Sequence, residues 1–153
     1  MKRGVSGTIS SSTSAPVDAW TQAGTPSFGA DNILCVAYSS ELNRFVAGGS
    51  GGKIAYSSDG NVWTQAATPS FGADSVLSII YANSVNLFIA GGTSGKIAYS
   101  SDGNLWTQFS STGMTTQVQG LVYHSGLGVL CAVGQSGEVS TTSNLSLWEI
   151  IVA

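Results

Sequence analysis

Short apolar runs alternate with glycine- and serine-rich segments along the chain, and the whole pattern occurs three times. Each repeat opens with a run of about six residues, first seen at 33–38, and continues with a shorter run that ends in glycine, as at 44–48. Such runs, bounded by turn residues, are typical of β-strands, and no stretch shows a helical period of useful length. The pattern therefore predicts an all-β protein in which the run at 33–38 is buried on both faces.

The repeat is most regular in a segment at 52–65, which returns at 95–108 with only Val62 changed to Leu105. Residues 20–62 and 63–105 are identical at about two thirds of their positions. Four tryptophans lie 43, 43 and 42 residues apart: Trp20, Trp63, Trp106 and Trp148. A fixed period of this length is typical of propellers and solenoids.

Each repeat contains four predicted strands, and the last two are joined by a tight turn at Asp59-Gly60 or its counterpart, where glycine supplies the positive φ. The predicted strands are 33–38, 44–48, 53–57, 62–66, 76–81, 87–91, 96–100, 105–109, 118–123, 129–134, 138–142 and 147–152. Four antiparallel strands per repeat form one blade of a β-propeller. We therefore predict three blades, from the repeats 20–62, 63–105 and 106–153, and an N-terminal arm or half-blade in residues 1–19.

The two sharp turns resemble the Asp-box (BNR) repeats of sialidase-like β-propellers, although here glycine follows aspartate directly and the third copy has lost its Asp-Gly pair. The resemblance covers nearly the whole chain and implies that the box residues are structural: Ser57, Asp59, Gly60, Trp63, Ser100, Asp102, Gly103 and Trp106. The low charge and tandem duplication are similar to those of non-catalytic Asp-box proteins of phage tails and virions.

Catalysis is not expected. Sialidases of that family clamp a carboxylate with three arginines, whereas this chain has only Arg3 and Arg44. His124 is the single histidine, so a histidine-based triad or metal cluster has no second member. Cys35 and Cys131 lie in apolar runs and form neither a metal motif nor a disulfide framework. We expect no catalytic residues, no metal and no cofactor.

Composition narrows the choice of partners. Five lysines and arginines and a net charge of −3 exclude a basic nucleic-acid footprint. No apolar run approaches the ~20 residues that span a bilayer, so we expect no membrane insertion. Residues 1–7 have a basic tip, but serine- and threonine-rich sequence follows where a signal peptide needs an apolar segment. We expect synthesis in the cytoplasm without a signal peptide, and a virion or extracellular location only after release.

Propellers close with ~4–8 blades, so three and a half blades predict association, most simply of two copies into a six- or seven-bladed ring. Four loop residues would gather near the central channel and are candidates for repeated weak sugar binding: Phe28, Asp31, Phe71 and Asp74. The simpler interpretation, placed first, is that the phenylalanines fill the gap between blades and the aspartates cap the loop.

Two functions remain open. The first is a non-catalytic structural or adhesion module of a larger assembly, binding virion proteins, other copies of itself or glycans through its blade loops. The second is a small oligomeric lectin that builds a propeller from several chains. The sequence favours the first.

Overall fold

Glycine-bounded apolar runs become strands throughout the computed structural model, which describes residues 20–24, 27–143 and 145. Eleven strands are present in the described part: β1 (Ile33–Ser39), β2 (Arg44–Gly49), β3 (Ile54–Ser57), β4 (Thr64–Gln65), β5 (Val76–Ala82), β6 (Leu87–Gly92), β7 (Ile97–Ser100), β8 (Thr107–Gln108), β9 (Val118–His124), β10 (Val129–Gly134) and β11 (Val139–Thr142). A short 3-10 turn follows the second strand of each repeat: Ser50–Gly52, Thr93–Gly95 and Gln135–Gly137.

The strands form three antiparallel sheets, each of which is one repeat of the sequence. Blade 1 has the order β1-β2-β3-β4, blade 2 has β5-β6-β7-β8, and blade 3 has β9-β10-β11 within the described residues. Neighbouring strands pair in sequence order, so that each blade is a meander in which the first strand lies at one edge. The predicted all-β, blade-type architecture is confirmed.

The predicted strand bounds agree with the observed ones within two residues wherever the two can be compared. The largest difference is in the fourth strands, which pair over only two residues, Thr64–Gln65 and Thr107–Gln108. The predicted fourth strand of blade 3, at 147–152, and the predicted half-blade at 1–19 lie outside the described residues.

Side chains between consecutive blades form the core. One cluster joins blade 1 to blade 2 and contains Val46 and Ile54 on one side and Phe88 and Trp106 on the other. A second cluster joins blade 2 to blade 3. We call the side of a blade that is turned toward the preceding blade its leading face, and the side turned toward the following blade its trailing face.

The leading face of blade 2 packs on the trailing face of blade 1. Its half-buried residue is Tyr81, and its buried apolar residues are Val76, Ile79, Phe88, Ala90, Ala98 and Trp106. The equivalent residues on the leading face of blade 1 are Ile33, Val36, Tyr38, Phe45, Ala47, Ala55 and Trp63. Because no described blade precedes blade 1, several of these side chains are exposed. The prediction that residues 33–38 are buried on both faces is therefore wrong for blade 1.

The Asp-Gly turns are closed by side-chain hydrogen bonds. Asp59 Oδ1 accepts the backbone N–H groups of Asn61 and Val62 at 2.8 and 2.9 Å, and Ser57 Oγ accepts the N–H of Gly60 at 2.9 Å. Trp63 Nε1 donates to the Gly60 carbonyl at 3.0 Å, which fixes the indole beside the turn. The turn around Asp102 repeats this arrangement with distances within 0.1 Å. The carboxylates of both turns are thus bound to backbone.

Candidate functional site

The sequence-predicted loop residues do come together with the glycine-rich turns, and the contacts among them are internal. Asp74 Oδ1 accepts hydrogen bonds from Thr93 Oγ1 and Ser94 Oγ, both at 2.9 Å. Its Oδ2 lies 2.8 Å from Lys96 Nζ, which also donates to the Phe71 carbonyl at 3.0 Å. These bonds, that of Lys96 first, hold the pKa of Asp74 below its ordinary value. The carboxylate therefore joins the loop before blade 2 to the second hairpin turn of that blade.

The same ion pair is present one repeat earlier. Lys53 Nζ lies 2.5 Å from Asp31 Oδ2 and donates to the Phe28 carbonyl at 3.1 Å. Each lysine thus ties the loop that precedes its blade to the strand that follows the 3-10 turn. This capping role was one of the two interpretations that the sequence left open.

The third repeat reverses the charge of this clamp, a feature that sequence reasoning missed. Glu138 stands where the first two repeats have lysine, and its carboxylate accepts the backbone N–H of Thr116 at 3.0 Å and its hydroxyl at 2.7 Å. The backbone N–H and hydroxyl of Thr115 also donate to it. The Thr115 and Thr116 hydroxyls lower the pKa of Glu138 to about 2. Since the loop aspartate is replaced by Thr116, the two changes compensate, and aligning the repeats would have revealed the pair.

Phe28 and Phe71 are both buried, at 2% and 0% exposure. Phe71 belongs to the cluster between blades 1 and 2, and Phe28 packs with Ala47 and Ala55 on the leading face of blade 1. The Phe71 ring therefore fills space between two blades, as in the simpler sequence interpretation, and the Phe28 ring covers part of the leading face of blade 1. A ligand-binding role for Phe28, Phe71 and their neighbouring aspartates stays a prediction.

The leading face of blade 1 departs from a closed packing arrangement. Val36 is 59% exposed, whereas Ile79, at the same position of blade 2, is 6% exposed. Ile33 is exposed and its counterpart Val76 is fully buried. Aliphatic residues at equivalent positions of the two sheets are thus exposed to solvent in blade 1 and buried in the core in blade 2.

Aromatic rings extend this exposed apolar surface. The rings of Tyr38 and Phe45 lie 4.5 Å apart between centroids, and those of Phe45 and Trp63 lie 6.5 Å apart. Tyr38 is exposed, and its hydroxyl donates to Asn43 Oδ1 at 2.9 Å. The leading face of blade 1 is therefore a patch of aliphatic and aromatic groups, the composition that marks association sites when it is exposed.

Blade 3 has a comparable surface at the other end of the array. Val139 on its trailing face is 65% exposed, whereas the equivalent Ile97 of blade 2 is 4% exposed. Val122 and Val133 on the same face are also exposed. Both outer faces of the described three-blade array thus carry exposed apolar side chains.

The chain approaches blade 1 along the path that it follows between blades. Gly24 N–H donates to Asn61 Oδ1 at 2.7 Å, and Ala67 N–H donates to Asn104 Oδ1 at 2.9 Å one repeat later. The linker before blade 1 is therefore placed as if it left a preceding blade. Trp20, where a fourth strand of such a blade would begin, is 97% exposed.

Residues with reactive side chains are not assembled into a centre in the described part of the chain. No three histidine, cysteine or acidic residues there lie close enough to hold a metal ion. Arg44 donates to the Asp102 carbonyl and lies over the Tyr56 ring at 4.8 Å, so that it joins blade 1 to blade 2. Burial raises the pKa of the Cys35 thiol to about 12. Within residues 20–24, 27–143 and 145, no helix is long and apolar enough to cross a membrane.

Solved structures with a similar fold are β-propellers. YCF48 from Cyanidioschyzon merolae is 18% identical with a TM-score of 0.64, over 82% of this chain and 38% of that one. A chain of the nidogen/laminin complex is 16% identical with a TM-score of 0.61, over 74% and 45%. YCF48 bound to D1 peptide is 18% identical with a TM-score of 0.53, over 74% and 38%. No protein-family model and no curated protein sequence matches the chain.

These likenesses show the fold. The matched region spans less than half of each of those chains, so the described blades correspond to an arc of such a propeller.

Proposed function

We propose that this chain is a non-catalytic binding module of a larger assembly, and that it docks onto another protein through the leading face of blade 1. The observation that carries the proposal is the contrast between Val36 and Ile79, which have 59% and 6% exposure at one structural position. Burying an exposed valine or isoleucine side chain contributes about 1.5–3 kcal/mol, so a partner that covers this face gains from several side chains at once.

The loop cluster supports a protein partner over a glycan. A sugar site of the predicted kind needs an exposed aromatic face beside an available carboxylate. Phe71 is buried, and Asp74 is bound to Lys96, Thr93 and Ser94. By contrast, Tyr38 and Val36 are exposed on the surface of a sheet.

The finer assignment, a component of a phage tail or virion, rests on the sequence resemblance and belongs to the same proposal. Two of the structures with a similar fold are complexes, nidogen with laminin and YCF48 with a D1 peptide. At 16–18% identity that likeness extends to the fold and not to the partner.

The test is photo-cross-linking in the cells that produce the protein, with a cross-linkable phenylalanine analogue in place of Tyr38. We expect one defined assembly protein to be cross-linked, and Val36→Asp to abolish the product by placing a charge in the interface. Leu127→Asp is the matched control, since Leu127 is also an exposed apolar residue and lies on a turn of blade 3. Loss of the product in both variants, or retention in both, would contradict the proposal. Glycan-array binding that survives Val36→Asp, without any cross-link, would favour the lectin.

A further inference from the structure

Glycine at the end of the second strand is required by the way one blade packs on the next. A Cβ atom on Gly48 would lie 2.5 Å from Val76 Cγ1 and 2.8 Å from Val76 Cβ. A Cβ on Gly91 would lie 2.4 Å from Val118 Cγ1 and 2.9 Å from Val118 Cβ. Carbon atoms do not approach so closely, so the trailing face of a blade that is followed by another blade needs glycine at this position.

Blade 3 has Val133 at this position, 43% exposed on the trailing face. The opposing residue also differs, because Gly120 stands where blade 2 has Ser78. A Cβ on Gly120 would lie 2.9 Å from Val133 Cγ2, so the valine occupies the space that its neighbour leaves. The trailing face of blade 3 therefore has a different shape from the two faces that accept a following blade.

The leading face of blade 1, in contrast, keeps the shape of the leading faces that dock. Ile33 stands at the position of Val76 and Val118, the two side chains that pack against glycine. If a second copy packed its blade 1 on blade 3 in the same geometry, Ile33 would collide with Val133. A head-to-tail ring or filament built from the repeated interface is thus blocked at one pair of residues.

We propose that Val133 prevents head-to-tail self-association, and that the leading face of blade 1 accepts a β-blade of another polypeptide that carries glycine opposite Ile33. The argument for this occupant is continuity with the established interface, since the leading face of blade 2 already packs against such a blade within the chain. Heterologous contacts that do not close produce filaments, and a chain with two complementary apolar ends needs a device against them. The inference rests on the proposed function and names the kind of partner.

Residues 1–19 are a poorer occupant for this face. Their sequence matches only the third and fourth strands of a blade, the outer pair. The exposed residues Ile33, Val36 and Tyr38 lie on β1, the first strand, and in the interface between blades 1 and 2 the corresponding β5 packs on β1 and β2. Covering β1 therefore requires the first two strands of another blade.

The experiment places glycine at position 133 of blade 3 and measures whether the protein then associates with itself. In sedimentation velocity over a range of concentrations, we expect the wild-type chain to remain at the monomer mass and not to form the ring of two copies that the blade count predicts. Val133→Gly is expected to raise the weight-average mass twofold or more, and adding Val36→Asp to return it to the monomer. Val133→Ala is the matched control: it keeps the Cβ atom that collides and is expected to stay monomeric.

A second variant guards against a folding defect. Gly120→Ser with Val133→Gly reproduces the Ser78 and Gly91 pair of blade 2, and circular dichroism shows whether either variant is folded. A folded variant that stays monomeric overturns the role of Val133. If the wild-type chain associates and Val36→Asp abolishes the association, the occupant of the face is a second copy. If Tyr38 becomes oxidisable only when residues 1–19 are deleted, the occupant is the N-terminal segment. Either result overturns the inference, and coverage by the terminus overturns the proposed function too, because the docking face would already be occupied. The proposed function fails separately if the cross-link through Tyr38 is absent.

Discussion

Blades 1 and 2 have similar sequences and the same strand pairing, yet the side chains on their leading faces differ in exposure to solvent. Their leading faces carry an aliphatic residue, a tyrosine, a phenylalanine and a tryptophan at matching positions. Phe88 and Trp106 of blade 2 are buried, whereas their equivalents Phe45 and Trp63 are only half-buried. Whether these side chains are buried therefore depends on the neighbouring blade and not on the residue type. An exposed apolar surface on a repeat marks a face that no described blade covers.

The largest expected effect is at the aromatic pair of this comparison. Phe88→Ala removes a fully buried ring and is expected to lower the free energy of unfolding by about 3–5 kcal/mol. Phe45→Ala makes the same chemical change at the matching position, where the ring is half-buried, and is expected to cost clearly less. Urea unfolding followed by tryptophan fluorescence measures both. Equal losses would mean that the leading face of blade 1 is covered in solution.

At the glycine position, adding atoms to the buried interface is expected to destabilise the fold. Gly48→Ala places a Cβ against Val76 and is expected to lower the free energy of unfolding by about 1–3 kcal/mol through overpacking. Val133→Ala at the equivalent place of blade 3 shortens an exposed side chain and is expected to cost less. The comparison uses thermal unfolding of the two variants. A harmless Gly48→Ala would show that blades 1 and 2 are packed more loosely than described.

A smaller difference is expected between the two Asp-Gly turns. Gly103 is buried, and a Cβ on it would lie 2.7 Å from Val46, so this turn packs on blade 1. The Asp59 turn has the same internal hydrogen bonds but is exposed. Asp102→Ala should therefore lower the melting temperature more than Asp59→Ala does. The reverse order in calorimetry would contradict the assignment of the Asp102 turn to the interface.

The smallest effect concerns pH and the third repeat. The pKa of Glu138 is about 2 in the folded chain, against an ordinary value of 4.5, because threonine hydroxyls and N–H groups bind its charged form. A carboxylate with a lowered pKa stabilises the fold above pH 4.5 and loses that contribution as the pH falls toward 2. The stability difference between wild type and Glu138→Gln should shrink over this interval. A difference that stays constant between the two pH values would show that the clamp does not form.

The strands and the repeat could be predicted from the sequence because each depends on local pattern. Alternating apolar runs and Asp-Gly turns specify a meander, and the tryptophan period specifies its repetition. The ion pairs of Lys53 and Lys96 were not predicted, because they join residues more than 20 positions apart whose approach depends on the folded loop. Nor was the exposure of Val36, since the apolar run around it reads the same as the buried run of blade 2.

The most informative signal in the sequence was a difference between repeats. The first two repeats have glycine at this position, Gly48 and Gly91, and the third has Val133. Glycine is common at strand ends, and only the short distance to the next blade shows that it is required here. The charge reversal at Glu138 is a second such departure; an alignment of the repeats pairs it with Thr116, and the hydrogen bonds show that the two residues are in contact. Positions at which the third repeat differs from the first two therefore mark places where its contacts differ.

Hydroxyl-radical footprinting of the isolated full-length chain, at a dilution where it is monomeric, tests most directly that the leading face of blade 1 is open. Residue-level mass spectrometry would compare oxidation of Val36 and Tyr38 with that of Ile79 and Tyr81. We predict strong oxidation of the first pair and protection of Ile79, in line with 59% against 6% exposure at the aliphatic position. Equal protection of both pairs would contradict the account, because the face proposed to bind a partner would already be covered.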